Sequence, residues 1–244
     1  MLDPRELREV AERFGVAEDQ VRRDHLVSHV LAAVSRLAPA AVFFGGTALA
    51  RTHLPAGRLS EDVDLYAARR RDVARALTTG IPSALRREFP RLAWDPAPED
   101  VADNGTALLL AERVPPVRLQ VLDGTGYALW PTERRSVDTR YADVPAATLT
   151  VPTRASFVGM KLWAWGDRRA ARDLYDLWSL ATIGAVDADA VAAYEAAVGY
   201  RPPLSVFDRV PDAEEWRTAL AHQTAVLPDV AGAVAAVRAA LTAV

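Results

Sequence analysis

The stretch of sequence that decides the fold is FFGGTALARTHLPAGRLSEDVDLY, residues 43 to 66. Its second half predicts a β-strand on which Asp62 and Asp64, two residues apart, lie on one face, whereas Val63 and Leu65 face a core. Two neighbouring carboxylates repel each other, so the arrangement is costly unless a cation or a proton compensates their charge. The usual compensation is a pair of divalent metal ions, so the sequence predicts a metal site on this strand.

The first half of the stretch predicts a site for an anion. An apolar strand end leads into Gly45-Gly46-Thr47, where a helix begins. Glycines leave backbone N–H groups unobstructed, and the N-terminus of a helix attracts negative charge. Ser60 shares the strand face of the two aspartates, and Arg58 either reaches a phosphate or is solvated. A phosphate site beside metal-binding carboxylates indicates nucleotide chemistry.

Four motifs occur in order along the chain. They are GGTALA at residues 45 to 50, R-x-S-x-D-x-D-L at 58 to 65, M-K-L at 160 to 162 and R-D-L-Y-D-L-W at 172 to 178. Together they resemble the AbiEii/MenT toxins, which belong to the DNA polymerase β nucleotidyltransferase superfamily. The resemblance covers roughly residues 40 to 182. A lone D-x-D would carry little weight, because acidic pairs are common in turns.

The resemblance implies an α/β fold with a polymerase-β-like nucleotidyltransferase core. We expect N-terminal helices and a mixed sheet in residues 1 to 150, a helical C-terminal lobe in residues 151 to 244, and an active site between them. Asp62 and Asp64 would bind two Mg²⁺ ions, with Mn²⁺ as the alternative, and the substrate would be an NTP. The expected nucleotide-binding residues are Gly45, Gly46, Thr47, Arg58, Ser60, Lys161 and Arg172.

The composition excludes several other classes of protein. The 244 residues include no cysteine, which rules out disulfides, thiolate metal sites and cysteine nucleophiles. The N-terminus is charged, and no apolar run approaches the ~18 residues that span a bilayer, so we expect a cytoplasmic protein without a membrane partner. A net charge of −3 is not typical of a nucleic-acid-binding protein. Local arginine clusters, such as Arg69-Arg70-Arg71 and Arg168-Arg169, would have to bind RNA, although such clusters also fit solvated faces.

One lysine, Lys161, occurs among 29 basic residues, so the other 28 are arginines. A position that needed only positive charge would be expected to carry arginine too. A compact ammonium and a planar guanidinium are not interchangeable against a phosphate oxygen. We predict that Lys161 neutralises charge on the leaving pyrophosphate. The alternative is that its aliphatic stem packs along a helix face beside Trp165.

Three further aspartates are candidates for the site. Polymerase-β-like enzymes usually place a third carboxylate on the next central strand, and the predicted strand from Val117 ends in Asp123, with Gln120 in its middle. Asp123 is therefore the candidate third metal ligand or general base, although Asp-Gly is also a favoured turn. In the toxin family an aspartate lies near the active-site lysine. Either Asp173 or Asp176 is expected to orient Lys161 and Arg172, unless it serves only to cap or charge a helix start.

Periodicity predicts the remaining elements. Helices are expected at residues 17 to 38, 69 to 89 with a weak point at Gly80-Ile81-Pro82, from 153, from about 172, and at 187 to 198, 212 to 222 and 228 to 242. Strands are expected at 91 to 95 and 105 to 112, with one or two more within 127 to 151. His25 and His29 are spaced like two metal ligands on the first helix, but no third ligand is near in sequence, so packing is the simpler interpretation.

The sequence thus predicts a metal-dependent nucleotidyltransferase. The resemblance implies transfer of NMP to an RNA acceptor, the 3′ end of tRNA, with translation arrest as the outcome and a cognate antitoxin protein as partner. The alternative is an NTP-binding or kinase-like protein that modifies or binds a partner protein without RNA transfer. The uncertain third carboxylate and the acidic net charge support that alternative.

Overall fold

A mixed sheet of seven strands has the stretch at residues 43 to 66 at its centre. The computed structural model describes residues 2–126 and 129–244, and every count of strands or helices refers to those residues. The strands are β1 Val42–Phe44, β2 Asp62–Ala67, β3 Ala93–Trp94, β4 Thr106–Ala111, β5 Val114–Asp123, β6 Thr132–Val137 and β7 Ala147–Pro152. Their order in the sheet is β3-β4-β5-β2-β1-β7-β6. The α/β fold class with a mixed sheet is therefore confirmed.

Nine α-helices accompany the sheet in the described part of the chain. They are α1 Pro4–Phe14, α2 Glu18–Leu37, α3 Gly45–Thr52, α4 Arg70–Ala84, α5 Arg154–Arg168, α6 Ala171–Thr182, α7 Ala188–Val198, α8 Ala213–Leu220 and α9 Val230–Thr242, with short 3-10 turns at Gly124–Gly126 and Leu204–Phe207. Helix α4 continues through Pro82 and ends at Ala84, five residues before the predicted end. The predicted strand region at 127 to 151 begins on two residues that lie outside the described ones.

The register of the sheet places the aspartate pair on an open face. β2 pairs antiparallel with β1, where Phe44 is opposite Asp64, and parallel with β5, where Gln120 is opposite Asp64. Val63 and Leu65 are fully buried on the other face. The alternation predicted from the sequence is therefore present, because one face of β2 packs into the core and the other carries polar side chains.

One hydrophobic core includes residues from both sides of position 150. Leu26 of α2, Val63 of β2 and Leu177 of α6 all belong to it. α2 packs against β5 and β7, while α5 packs against α6 and α7. The division into a core and a helical lobe at residue 150 stays a prediction. Within residues 2–126 and 129–244, no helix is both long and apolar enough to cross a bilayer.

A buried ionic network fastens α2 to two other parts of the fold. Asp24 accepts hydrogen bonds from Arg51 of α3 at 2.7 Å, from Arg140 at 2.9 Å and from the Tyr141 hydroxyl at 2.8 Å. Burial alone would raise the pKa of Asp24, but the charges of Arg140 and Arg51 lower it. Arg140 and Tyr141 belong to residues 138 to 146, the loop between β6 and β7. This loop, called the docking loop below, is thereby fixed to α2.

Candidate active site

Asp62 and Asp64 face a cleft of about 540 Å³ that gathers side chains from both halves of the chain. The cleft is lined by the glycine turn at the start of α3, by β2 and β5, and by residues of α5 and α6. Among its lining residues are Gly45, Gly46, Arg58, Ser60, Lys161 and Arg172. The structure thus brings together ten of the twelve residues that the sequence proposes, counting Asp62, Asp64, Asp173 and also Asp176, which contacts two of the lining residues.

The donor set on β2 fits a divalent metal ion. Burial and the neighbouring charge of Asp62 raise the pKa of Asp64 to about 6, against the opposing charges of Lys161 and Arg168. A second feature is the close approach of the glycine turn. Gly45 has a φ of +79°, and a Cβ at this position would lie 2.4 Å from Asp64 Oδ2. Only glycine fits at this position, and the two carboxylates are left facing a space where an oxygen-binding cation would relieve their repulsion.

A pH dependence follows from the raised pKa of Asp64. A divalent ion needs the ionised carboxylate, so we expect Mg²⁺ affinity to fall about tenfold per pH unit below about pH 6. In the metal-free protein the folded state binds this proton more tightly than the unfolded chain. Asp64 therefore lowers folding stability progressively from about pH 4 to about pH 6, and the full loss remains above that. Calorimetric Mg²⁺ titrations between about pH 5 and pH 7 test the first part. Melting curves of the metal-free parent and Asp64→Asn test the second, and parallel pH profiles of the two would contradict it.

The glycine turn offers backbone donors, whereas Thr47 holds the turn in place. Thr47 is buried, and its hydroxyl lies 2.9 Å from Ser60 Oγ and donates to the backbone carbonyl of Asp62. Among the described residues, no side chain caps the start of α3. The expectation that Thr47 lines the phosphate site is therefore corrected. Its side chain fastens α3 to β2, and the residues of the turn that line the cleft are Gly45 and Gly46.

Lys161 lies between the two aspartates of α6. Its Nζ is 2.9 Å from Asp173 Oδ1 and 2.6 Å from Asp176 Oδ2, and only 8% of its side chain is exposed. Burial alone would lower the pKa of Lys161, but the two carboxylates raise it, so the ammonium is charged. The sequence left open which of the two aspartates orients the lysine. In the structure both of them contact it.

Two arginines complete this network, and neither is Arg172. Arg168 donates to Asp173 from Nε at 2.7 Å and from Nη2 at 3.1 Å. Burial alone would raise the pKa of Asp173, but Lys161 and Arg168 lower it to about 2. Arg172 lines the cleft with an exposed side chain, and the arginines that bond the two aspartates are Arg168 and Arg58. The expected orientation of Arg172 is therefore corrected. Arg168 was visible in the sequence at i+7 from Lys161.

Arg58 is neither solvated nor pointing freely at a ligand. It is buried, donates to Asp176 from Nε at 2.9 Å and from Nη2 at 3.1 Å, and reaches Gln223 Oε1 from Nη1 at 2.8 Å. Its guanidinium also lies against the glycine turn, since a Cβ on Gly46 would lie 2.3 Å from Nη2. Arg58, Lys161 and Arg168 thus share the charges of Asp173 and Asp176, which leaves one net positive charge beside the cleft. No pattern in the sequence pointed to Gln223.

The structure does not bring Asp123 to the aspartate pair. Asp123 pairs with Ala67, which faces away from the cleft, and it lies among Arg69, Arg70 and Asp103 on another surface. Its Oδ1 accepts hydrogen bonds from the N–H and hydroxyl of Thr125, as in a turn. The expectation of a third metal ligand at Asp123 is therefore corrected. The β5 residue opposite Asp64 is Gln120, which is held by Thr106 at 2.8 Å.

An apolar recess of about 450 Å³ adjoins the cleft. The two share residues Phe44, Gly45, Lys161, Arg168 and Asp173. The recess is walled by aromatic side chains that the sequence did not single out for a site. Trp130 is buried against α5, whereas Trp163 is 52% exposed. An apolar recess beside a polar cleft suits a ligand with a charged part and an aromatic ring.

Comparison with known proteins places the chain in a family. The family model described as nucleotidyl transferase AbiEii toxin, type IV TA system, matches residues 29–243. No curated protein matches the chain. The solved structure of the nucleotidyltransferase toxin MenT4 of Mycobacterium tuberculosis is similar, with a TM-score of 0.70, 20% identity, and coverage of 93% of this chain and 85% of MenT4. An H. pylori protein assigned as a nucleotidyltransferase has a TM-score of 0.59, 16% identity, and coverage of 93% and 95%. The chain is a nucleotidyltransferase and belongs to the AbiEii toxin family of type IV toxin–antitoxin systems.

Proposed function

We propose that this enzyme transfers NMP from an NTP to an RNA acceptor, the 3′ end of tRNA, and acts as a toxin in the cytoplasm until an antitoxin protein neutralises it. The observation that carries the proposal is one cleft in which the carboxylates of Asp62 and Asp64 face a glycine turn and a buried lysine. The carboxylates would meet the triphosphate through bound cations, whereas the glycine turn and the lysine would meet its negative charges directly. The acceptor follows from the family and not from a residue in the cleft.

Each group in the cleft has a distinct task in this reaction. Asp62 and Asp64 would hold Mg²⁺ or Mn²⁺, which when bound neutralises the triphosphate and lowers the pKa of the acceptor hydroxyl. The backbone N–H groups of Gly45 and Gly46 bind phosphate oxygens. Lys161, fixed by its two aspartates, presents positive charge to the departing pyrophosphate. Ser60, Arg58 and Thr47 position these groups, because their own polar atoms are bonded within the protein.

The covalent step balances without a further reactant. The acceptor hydroxyl oxygen forms a bond to the α-phosphorus, the bond from that phosphorus to the bridging oxygen breaks, and pyrophosphate leaves while the hydroxyl proton passes to water. Positioning and charge stabilisation supply most of the catalysis in such phosphoryl chemistry. The exposed Arg172 lies at the cleft, where it can bind a phosphate of the incoming acceptor strand.

The test follows the two ends of the triphosphate separately. The protein is incubated with Mg²⁺, total tRNA and NTPs labelled either at the α-phosphate or at the γ-phosphate. We expect label on tRNA only from the α-labelled NTPs, and loss of that label when the tRNA 3′ end is blocked by periodate oxidation. Label on a protein from γ-labelled NTP would overturn the proposal in favour of kinase-like chemistry.

The second candidate is that kinase-like or purely NTP-binding role. It is favoured by one observation, because a glutamine, Gln120, occupies the strand position opposite Asp64 where a third carboxylate would be expected. The same labelling experiment decides between them when it is run in the presence of partner proteins from the host. Retention of NTP with no label on either macromolecule would indicate binding alone.

Toxicity is tested by expression of the chain alone. Induction in a bacterial host should arrest growth, and Asp62→Ala should restore growth at the same protein level on an immunoblot. Normal growth with verified full-length parent protein in several hosts would contradict the toxin assignment. The labelling result would still test nucleotide transfer on its own.

Trp163 is predicted to contact a nucleobase in the apolar recess. Stacking of a base on an aromatic side chain is worth about 1–3 kcal/mol, so Trp163→Ala should raise KM by about tenfold or more and leave kcat within a few-fold. The measurement is a set of steady-state rates against NTP and against tRNA, which shows which substrate supplies the base. Tyr200→Ala removes an aromatic of similar exposure outside the recess and serves as the matched control. An unchanged KM for both substrates would contradict the prediction.

A further inference from the structure

A group of two histidines and one aspartate lies apart from the cleft, among residues that the proposed reaction does not use. His25 and His29 are buried on α2, one turn apart, and Asp143 comes from the docking loop. The ligand atoms of the three side chains all lie within 4.8 Å of one another. In the described part of the chain, none of the three lines the cleft that contains Asp62.

Three atoms of this group form a nearly regular triangle. His25 Nε2 is 3.3 Å from His29 Nε2 and 3.2 Å from Asp143 Oδ2, and His29 Nε2 is 3.6 Å from the same Oδ2. A tetrahedral ion with bonds of about 2.0–2.1 Å has edges of about 3.3–3.4 Å. An octahedral ion with similar bonds has edges of about 2.8–3.0 Å. The observed edges are closer to those of a tetrahedral site.

A proton satisfies this arrangement only when one N–H is shared between two acceptors. His25 Nε2 contacts both Asp143 and His29, but a ring nitrogen carries either one N–H or one lone pair in that direction. If His25 carries a proton on Nε2, its one N–H is shared between Asp143 and the lone pair of His29 Nε2, at distances of 3.0 to 3.3 Å. If both rings carry a proton on Nε2, the two N–H groups face each other at 3.3 Å. One cation in the middle would satisfy all three atoms at once, because each would direct a lone pair at it.

The surroundings match those of a structural metal site. The Phe89 ring lies 5.8 Å from the His25 ring and 5.5 Å from the His29 ring, and the Tyr141 ring lies 5.0 Å from the His25 ring. These walls fix both imidazoles. The carboxylate side borders solvent, since 24% of the Asp143 side chain is exposed.

We propose that His25, His29 and Asp143 bind a Zn²⁺ ion in a tetrahedral site whose fourth ligand is water. Two imidazoles and one carboxylate are a ligand set that zinc accepts, and Mg²⁺ does not favour imidazole. The ion would fasten the docking loop to α2 at a second point, beside the Asp24 network. Its task would be to stabilise the fold, and it is separate from the metal ions proposed for the cleft.

The test uses Co²⁺ as a spectroscopic substitute for Zn²⁺. Untagged full-length protein, stripped of metal by a chelator, is titrated with Co²⁺ in the presence of excess Mg²⁺ and in an Asp62→Asn/Asp64→Asn background, so that the cleft does not contribute. We expect intense visible absorption of tetrahedral Co²⁺ at one ion per chain, displaced by Zn²⁺, and a higher Tm with Zn²⁺.

Two substitutions at the proposed site and one control variant show where the ion binds. Asp143→Asn conserves side-chain size at a partly exposed position and should lower affinity about 10-fold or more, as should His29→Gln. His222→Gln changes an exposed histidine and should change nothing. Absence of a stoichiometric Co²⁺ spectrum in the parent would overturn the site. So would a spectrum and a Zn²⁺-dependent Tm that are the same in Asp143→Asn, since the ion would then lie elsewhere. None of these readings depends on nucleotide transfer.

Discussion

Replacement of Asp62 or Asp64 by asparagine is expected to abolish nucleotide transfer, with a loss on the order of 10³-fold or more. Loss of a metal ligand removes several kcal/mol of charge stabilisation, and about 1.4 kcal/mol corresponds to a factor of ten in rate. The structure supports this expectation because both side chains lie on the open face of β2, toward the cleft. Rates with labelled NTP and Mg²⁺ calorimetry measure the two consequences.

Melting temperatures distinguish the loss of a metal ligand from unfolding of the protein. Burial beside Asp62 raises the pKa of Asp64 to about 6, so its ionised form destabilises the metal-free fold near neutral pH. Asp64→Asn should therefore melt at the same temperature as the metal-free parent or higher. Asp123→Asn is the matched control, since Asp123 lies on the opposite face of the sheet, and it should keep activity within about twofold of the parent. Full activity in either Asp62 or Asp64 variant would remove the central assignment.

Lys161→Arg should lose most activity, about 10²-fold or more and nearly as much as Lys161→Ala. The ammonium occupies a buried position within 2.6–2.9 Å of two carboxylates. Arg58 and Arg168 already donate to both oxygens of those carboxylates, which leaves a guanidinium no comparable place. Steady-state transfer by the two variants, measured well below their melting temperatures, tests this.

The burial of Lys161 also changes what is expected for stability. From the sequence alone, both variants should melt close to the parent, but removal of one member of a buried ionic network costs about 3–5 kcal/mol when the remaining charge is uncompensated. Lys161→Ala should therefore lower Tm. Its cost in the free energy of unfolding should be below that range, because the two arginines remain. Arg154→Lys, an exposed exchange on the same helix, is the control. Wild-type transfer by Lys161→Arg would show that only positive charge is needed.

The local part of the site could be predicted from the sequence because its signals are short. Alternation over six residues placed Asp62 and Asp64 together, and the seven-residue spacing of Lys161 and Arg168 corresponds to two turns along one helix face. Asp123 was expected beside Asp62 and Asp64, although the alternation along its strand puts it on the other face of the sheet. It shares its face with Val117, Leu119 and Val121, which are buried, so its face is the one that packs into the core.

Contacts between distant segments could not be predicted in this way. Arg58 and Gln223 are 165 residues apart, and His25 and Asp143 are 118 apart. Such pairs are determined by how helices and loops pack on the sheet, and no periodicity encodes that. For this reason the sequence did not reveal that Asp143 lies beside His25 and His29.

The contact of Gln223 with the segment leading into β2 has a consequence for genetics. Gln223 is buried, its side chain accepts from Arg58, and its backbone carbonyl accepts from the N–H of Leu59 at 2.6 Å. A nonsense codon far downstream of Asp62 and Asp64, anywhere up to codon 223, would therefore leave Arg58 without one of its supports. In a selection for bacteria that survive the toxin, we expect inactivating nonsense mutations to be recovered at codons as late as 223.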